Sequence, residues 1–214
     1  MRVSSSNRAF SLVEMMVVIS VLAFLLAFAA PSIMSLGSTS LSAGGRDLVG
    51  FLKLARAEAI AKNTVVRVAI VRNWPSEPDA AHRTFGTMSW NEETEEFVQI
   101  GAWESLPEGL MIEPSFPSYV KDSEYAKDDP INVRASTPNK MIEVMVNGEA
   151  ISATYLEFMP NGRARAPDGM AERKLAFVVI QGFEEDGEIV RVASQNWAQV
   201  NVDLLTGHIE VLRP

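Results

Sequence analysis

The chain has 214 residues, 47% hydrophobic and 21% charged, which suits one ordinary folded domain plus a short extra element and excludes a disordered chain. Its formal net charge is −8, so its surface repels phosphate backbones and general nucleic-acid binding is disfavoured. With no cysteine, disulfides and thiolate metal sites are excluded.

The apolar residues are unevenly placed. Residues 1–9 are polar, hold Arg2 and Arg8, and contain no acid. Phe10-Ser11-Leu12-Val13-Glu14 follows, then Met15 to Ala30, nearly all apolar, and then Pro31. As a helix, Phe10 to Ala30 would be about 31 Å long, against about 30 Å for the hydrocarbon core of a bilayer. The length fits one membrane span within residues 10–35. The two leading arginines place the N-terminus in the cytoplasm and everything after Pro31 across the membrane.

Glu14 does not fit a plain anchor. An acid at the centre of a membrane helix costs about 2.5–3.5 kcal/mol. Near the helix start the cost is smaller, because the macrodipole favours a carboxylate there. An acid so placed is a functional hypothesis that needs a named partner. Cleavage between Ala9 and Phe10 supplies one: a positive α-amine on Phe10, four residues before Glu14. In an array of such helices the amine of one chain meets the carboxylate of another, and each offsets the other's desolvation. The competing reading is a conventional secretory signal. Ala27-Phe28-Ala29 has the A-x-A form, and cutting there would release a soluble envelope protein. Against that reading, Glu14 interrupts the apolar core and Pro31 sits very close to the cut.

Ala9-Phe10-Ser11-Leu12-Val13-Glu14 before an apolar helix resembles the class III signal of type IV pilins and type II secretion pseudopilins. The resemblance implies that prepilin peptidase removes residues 1–9 and methylates the new Phe10 amine. It implies that Glu14 is the assembly glutamate, and that Pro31 stands where many members carry a helix-kinking proline. One departure is Ala9, where the family usually has glycine; both are small.

Beyond Pro31, residues 36–63 read as an amphipathic continuation of the helix. Ser35 to Gly45 is rich in Ser, Gly and Thr, and a break or restart is expected near Gly44-Gly45. Leu48, Phe51, Leu52, Ala55 and Ala59 form one apolar face at helical spacing, with Arg46, Lys53, Arg56 and Lys62 mostly off it. Asn63 is the expected stop.

Residues 64–214 read as β-rich. Val65 to Val71 is dense in β-branched residues. Thr84–Trp90 and Glu96–Trp103 flank a turn at 91–95. Leu110–Glu113 is a short strand, and Pro114–Asn139 is a long polar loop. Met141–Val146 and Thr154–Met159 follow, with turns at Asn147-Gly148 and Pro160-Asn161-Gly162. Lys174–Gln181 and Glu188–Ala193 flank an acidic turn, and Trp197–Leu204 pairs with His208–Leu212 across Thr206-Gly207. A long N-terminal transmembrane helix laid on antiparallel sheets makes the expected class α+β.

Three further stretches are similar to the GspH/FimT-like minor pseudopilin branch: Leu52 to Ile60 with the Val-rich strand after it, Leu156-Glu157-Phe158-Met159-Pro160-Asn161-Gly162-Arg163, and Val200 to Ile209. They encode core positions and turns. The fold this implies is pilin-like.

No catalytic residue is expected. His82 and His208 are the only histidines, and no metal-ligand pair, nucleophile elbow, phosphate loop or dinucleotide fingerprint occurs. No metal site or cofactor is assigned. Asp122, Glu124, Asp128 and Asp129 in the 114–139 loop are oxygen donors that calcium could take, but their spacing matches no EF-hand. Trp74, Trp90, Trp103 and Trp197 lie in or beside strands and read as packing residues. Gly162-Arg163-Ala164-Arg165 is the most interesting basic cluster, because paired arginines clamp phosphates. Some FimT-like members use a Gly-Arg-x-Arg motif near the C-terminus for DNA uptake. Here the terminal equivalent is Gly207-His208-Ile209-Glu210, which has neither arginine.

The expected function is a filament subunit, a minor pilin or pseudopilin of a type IV pilus or type II secretion system. It would sit in the inner membrane as a single-pass protein with an extracytoplasmic head. Its partners would be prepilin peptidase, membrane lipid and other pilin-like subunits. Two alternatives stand beside it: a filament-associated binding module for DNA or a secreted protein, with Arg163 and Arg165 as ligand residues, and a soluble envelope protein released by signal peptidase.

Overall fold

The computed structural model describes residues 12–114, 135–136, 138, 140–167, 173–185, 188–192 and 196–212, with the side chains of 22–39 and 135–136 outside that set. The chain divides into two compact units, Met1–Thr39 and Ser40–Pro214.

Helix α1 spans Leu12–Ala61. In the first unit its helical run includes Pro31. The described side chains there, Leu12 to Val21, are all exposed, and eight of the ten are large and apolar. No helix among the described residues is long and apolar enough to cross a membrane. The apolar run in the sequence continues into 22–30, whose side chains lie outside the described set.

In the second unit the helix continues through Gly44 and Gly45, so the expected break is absent. The physical reason is close packing. A Cβ on Gly44 would stand 2.5 Å from Leu110 Cδ1, and one on Gly45 would touch Ala198 at 3.5 Å. The two glycines cost helix propensity and let neighbouring segments approach. The helix ends in a Schellman motif. Asn63 takes φ 51°, its N–H donates to the Ile60 carbonyl (3.3 Å), and the Thr64 N–H donates to the Ala59 carbonyl (3.2 Å).

Thirteen strands follow among the described residues. The first sheet runs in the order β3 (Glu96–Gln99), β2 (Thr84–Asn91), β1 (Val66–Asn73), β8 (Glu149–Phe158), β7 (Met141–Val146). Two short strands extend it: β4 (Glu104–Ser105) on β2, and β9 (Ala164–Arg165) on β8. The second sheet runs β11 (Glu188–Arg191), β10 (Lys174–Glu185), β12 (Trp197–Asp203), β13 (Ile209–Leu212), with β5 (Leu110–Ile112) and β6 (Ala135–Ser136) also on β10. Every pairing is antiparallel except β6 on β10. One helix and antiparallel sheets make this an α+β fold.

Leu41, Leu48, Phe51, Leu52, Ala55 and Ala59 of the helix meet Val66, Val68 and Ile70 of β1 and Leu175, Phe177 and Val179 of β10 in one core. Phe51 and Phe85 pack edge to face, 4.6 Å apart. The other face of the first sheet holds a second cluster with Ala69, Val71, Trp74, Met88 and Val144. That of the second sheet holds Met111, Val178, Ile180 and Trp197. Both faces of β1 and β10 are therefore buried, which is why each reads as a nearly continuous apolar run.

Asn147 (φ 51°) and Gly148 (φ 85°) make a two-residue hairpin turn between β7 and β8. It brings β8 in at Glu149, five residues before the expected start. The weakly β-like stretch Ala150–Ala153 is held there by pairing to β7 and β1. Strand β10 runs four residues past the expected end, and β6 falls inside the stretch read as loop.

Candidate functional site

Ala9 and Phe10, the processing residues, lie outside the described residues, as do Asp122, Glu124, Asp128 and Asp129. Glu14 is in the first turn of α1, where the macrodipole favours an acid. It is exposed between Leu12 and Val13 on one side and Met15 to Ile19 on the other. Below it, the Ser20 hydroxyl donates to the Met16 carbonyl (2.7 Å), which keeps a polar group satisfied on this apolar surface. A helix apolar on all sides is stable only where lipid or other helices surround it. Pro31 is helical in backbone, and its side chain is outside the described set.

In the second unit, Arg56 of α1 joins two turns that are far apart in sequence. Its Nε donates to the Gly162 carbonyl (2.8 Å) and its Nη2 to the Thr206 carbonyl (3.0 Å). Gly162 (φ 77°) closes the turn between β8 and β9, and Gly207 (φ 63°) the turn between β12 and β13. A Cβ on Gly207 would overlap the Gly162 carbonyl oxygen. The Pro-Asn-Gly and Thr-Gly segments therefore form one clasp on the helix, one turn from each sheet. Asp203 shapes the second turn. Partial burial works to raise its carboxyl, but hydrogen bonds from Thr206 and Leu205 and the charge of Arg173 outweigh this and hold it below the usual range.

The basic cluster is placed differently from a free phosphate clamp. Arg165 is ion-paired to Glu157, which is 3% exposed. The other Glu157 oxygen takes Arg67 Nη2 at 2.6 Å. The Arg67 guanidinium lies 3.6 Å from the Phe97 ring centre and 4.4 Å from that of Tyr155. Arg163 is exposed, and its backbone N–H donates to Asn161 Oδ1 (3.1 Å). The sequence brings Arg163 and Arg165 together, but Arg163 stands in the turn before β9, whereas Arg165 is on β9 in register with Glu157 and binds its carboxylate.

A second polar group joins the sheets. Arg72 of β1 is buried, donates from Nε to Thr154 Oγ1 (3.0 Å), and lies 3.0 Å from His82 Nδ1. Burial lowers the Arg72 pKa to about 10, with Glu113 opposing the shift. Burial, then the charge of Arg72, lowers the His82 pKa to about 4. His82 is thus a neutral structural histidine with φ 60°, its N–H on the Val71 carbonyl (2.9 Å) and its carbonyl taking the Ile112 N–H (2.6 Å). Elsewhere Glu149 collects the Trp74 indole N–H (3.0 Å) and the Ser76 N–H (2.9 Å) and hydroxyl (2.5 Å). These bonds, the Ser76 hydroxyl foremost, lower its pKa.

Sequence reasoning did not find Arg56, Arg67, Glu157 or Glu149. Their roles depend on pairings between strands that no local pattern reveals. Among the described residues no group of three acids or histidines is placed to hold a metal. The remaining candidate is the N-terminal segment, and one comparison bears on it. Residues 4–30 match the family described as the prokaryotic N-terminal methylation motif. That segment therefore carries a prokaryotic N-terminal methylation motif.

No curated protein matches the chain by sequence. Two solved structures of the minor pseudopilin EpsH from the type II secretion system of Vibrio cholerae are similar to it. One has 10% identity and a TM-score of 0.45, covering 82% of this chain and 98% of that one. The other has 15% identity and a TM-score of 0.43, covering 83% and 96%.

Proposed function

We propose that this protein is a minor pilin or pseudopilin, a subunit that waits in the inner membrane through one N-terminal helix and is then packed helix to helix into an envelope filament. The observation that carries the reading is the methylation signal at residues 4–30, within which Phe10 and Glu14 have the spacing that the assembly chemistry needs. Prepilin peptidase cuts after Ala9 and methylates the Phe10 amine. That amine is received by Glu14 of a neighbouring subunit, which fixes the stagger between helices. The exposed apolar surface from Leu12 to Val21 supports this, because it needs lipid before assembly and other helices after it. Pro31 supplies the bend by which the helix leaves the bundle.

Mass spectrometry of the protein from envelopes tests the processing. A mature start at N-methylated Phe10 supports the reading, whereas a start at Ala30 or Pro31 makes the chain a released envelope protein. Glu14→Ala should still enter the membrane and should drop out of sheared filaments; normal incorporation would remove the charge-pairing argument.

A further inference from the structure

Two asparagines in the chain precede a glycine, in Asn147-Gly148 and Asn161-Gly162. In such a pair the glycine amide nitrogen can attack the side-chain amide carbon, because glycine has no Cβ to crowd the approach. The nitrogen–Cγ bond forms, the backbone N–H proton passes to a solvent base, and the Cγ–Nδ2 bond breaks with loss of ammonia. Water then opens the succinimide at either carbonyl, which leaves aspartate or isoaspartate. In sequence the two sites are equivalent. In the fold they are not.

Asn147 and Gly148 are both exposed at the tip of the β7–β8 hairpin. A Cβ on Gly148 would meet nothing within 4 Å. Among the described residues, neither the Gly148 N–H nor the Asn147 side-chain amide has a hydrogen-bond partner. Asn147 (φ 51°) and Gly148 (φ 85°) hold a type I′ turn. Ring closure needs rotation about the Asn147 Cα–C bond, so it proceeds from a locally opened turn. That opening disturbs a hairpin end at the sheet edge, since β7 pairs with β8 alone among the described residues. The second site is closed. Gly162 is buried, its N–H donates to the Met159 carbonyl (2.8 Å), and its carbonyl accepts from Arg56 Nε (2.8 Å). Asn161 Oδ1 accepts the Arg163 N–H (3.1 Å). Turning the Gly162 nitrogen onto the Asn161 side chain would break these bonds and part the clasp.

We propose that Asn147 is a site of spontaneous deamidation, and that the fold protects Asn161 from the same reaction. Conversion places a carboxylate two positions before Glu149, the acid that holds Trp74 and Ser76. The isoaspartyl product also routes its main chain through the former side chain. That lengthens the turn, which then no longer fits the pairing of Val146 with Glu149. This site lies in the head and does not depend on the filament reading.

The test incubates the full chain in detergent, in mildly alkaline water labelled with heavy oxygen, and follows both asparagines by peptide mass spectrometry. Asn147 should convert to labelled acid about tenfold or more faster than Asn161, a ratio equal to about 1.4 kcal/mol of extra opening free energy at Asn161. The same chain unfolded in urea should convert the two at similar rates, because only the fold distinguishes them. Arg56→Ala, shown to be folded by circular dichroism, should speed Asn161 and leave Asn147 unchanged. The isoaspartyl form should show shifted tryptophan emission as the Trp74 loop loosens. Equal rates in the folded chain, a tenfold ratio that persists in urea, or no conversion of folded Asn147 after the unfolded chain has reacted completely would overturn the proposal. Unchanged emission would overturn its consequence for the Trp74 loop, and an Asn161 no faster in Arg56→Ala would overturn the protective role of the clasp.

Discussion

Gly207 should not tolerate even one added methyl group, and the reason lies in the clasp on Arg56. In Gly207→Ala the residue must hold φ 63°, a left-handed conformation that costs an L-residue about 1–2 kcal/mol. Its Cβ would also overlap the Gly162 carbonyl oxygen and stand 2.8 Å from Arg56 Nε. Backbone cannot yield as a flexible side chain does, so the two turns must part. Parting breaks the 2.8 Å and 3.0 Å bonds from Arg56 to Gly162 and Thr206. Hydrogen bonds from a charged donor contribute about 1.5–3 kcal/mol each, and this half-exposed pair belongs at the low end. The expected total is about 4–6 kcal/mol, a large share of a typical domain's ~5–15 kcal/mol. Gly162→Ala is the control. Its φ is similarly positive (77°), but its Cβ would meet only the Ile60 and Arg56 side-chain ends at 3.0 and 3.2 Å, so about 1–2 kcal/mol is expected. Urea unfolding of the full chain in detergent, followed by tryptophan fluorescence, reads both. With m near 2 kcal/mol/M the Gly207→Ala midpoint should fall by about 2–3 M. Arg56→Ala alone should cost about 2–3 kcal/mol, and the double variant should cost about 2 kcal/mol less than the sum, because the bonds are lost only once. Equal costs at Gly162 and Gly207, or strict additivity with Arg56→Ala, would refute the clasp.

Three other outcomes can be checked in the same preparation. His82 has a lowered pKa, so the unfolded chain binds the extra proton first. Stability should be full above about pH 6.5 and fall between there and about pH 4, by roughly 1–2 kcal/mol after discounting for its partial solvation; His82→Asn, which tolerates the same φ, should remove that slope from the pH dependence of the urea midpoint. Glu149 also has a lowered pKa, but as an acid it contributes above the carboxylate range and ceases to as pH falls through its folded value. Glu149→Gln should make Trp74 fluorescence at neutral pH resemble that of the parent in acid, and an unchanged spectrum would mean that Glu149 does not hold the 74–76 loop. A linear DNA duplex at physiological salt should not be shifted by the full chain, and Arg163→Ala with Arg165→Ala should change nothing; a shift abolished by that pair would reinstate DNA as a ligand.

What was legible in the sequence is what physical chemistry writes locally. The methylation motif is contiguous within residues 4–30, with Phe10 and Glu14 four positions apart. The stripe of Leu48, Phe51, Leu52, Ala55 and Ala59 follows from helical period, and the turn at Asn147-Gly148 from the residues that accept positive φ. The α+β class follows from one helix and many short β-branched runs. Local signal failed where distant atoms decide. Gly44-Gly45 reads as a break, yet the helix continues because Leu110 and Ala198 fill the space that side chains would have taken. Arg163 and Arg165 read as a pair, yet register puts Arg165 on Glu157 together with Arg67, 90 positions away from that acid.

The sequence by itself determined the methylation motif at residues 4–30 and the apolar, acid-bearing start of α1, because the character of such a segment depends on its own composition. Only the tertiary structure decided how the head is held. Arg56 reaches across 106 and 150 positions to bind two carbonyls, and backbone carbonyls carry no residue identity that a reader of sequence could match.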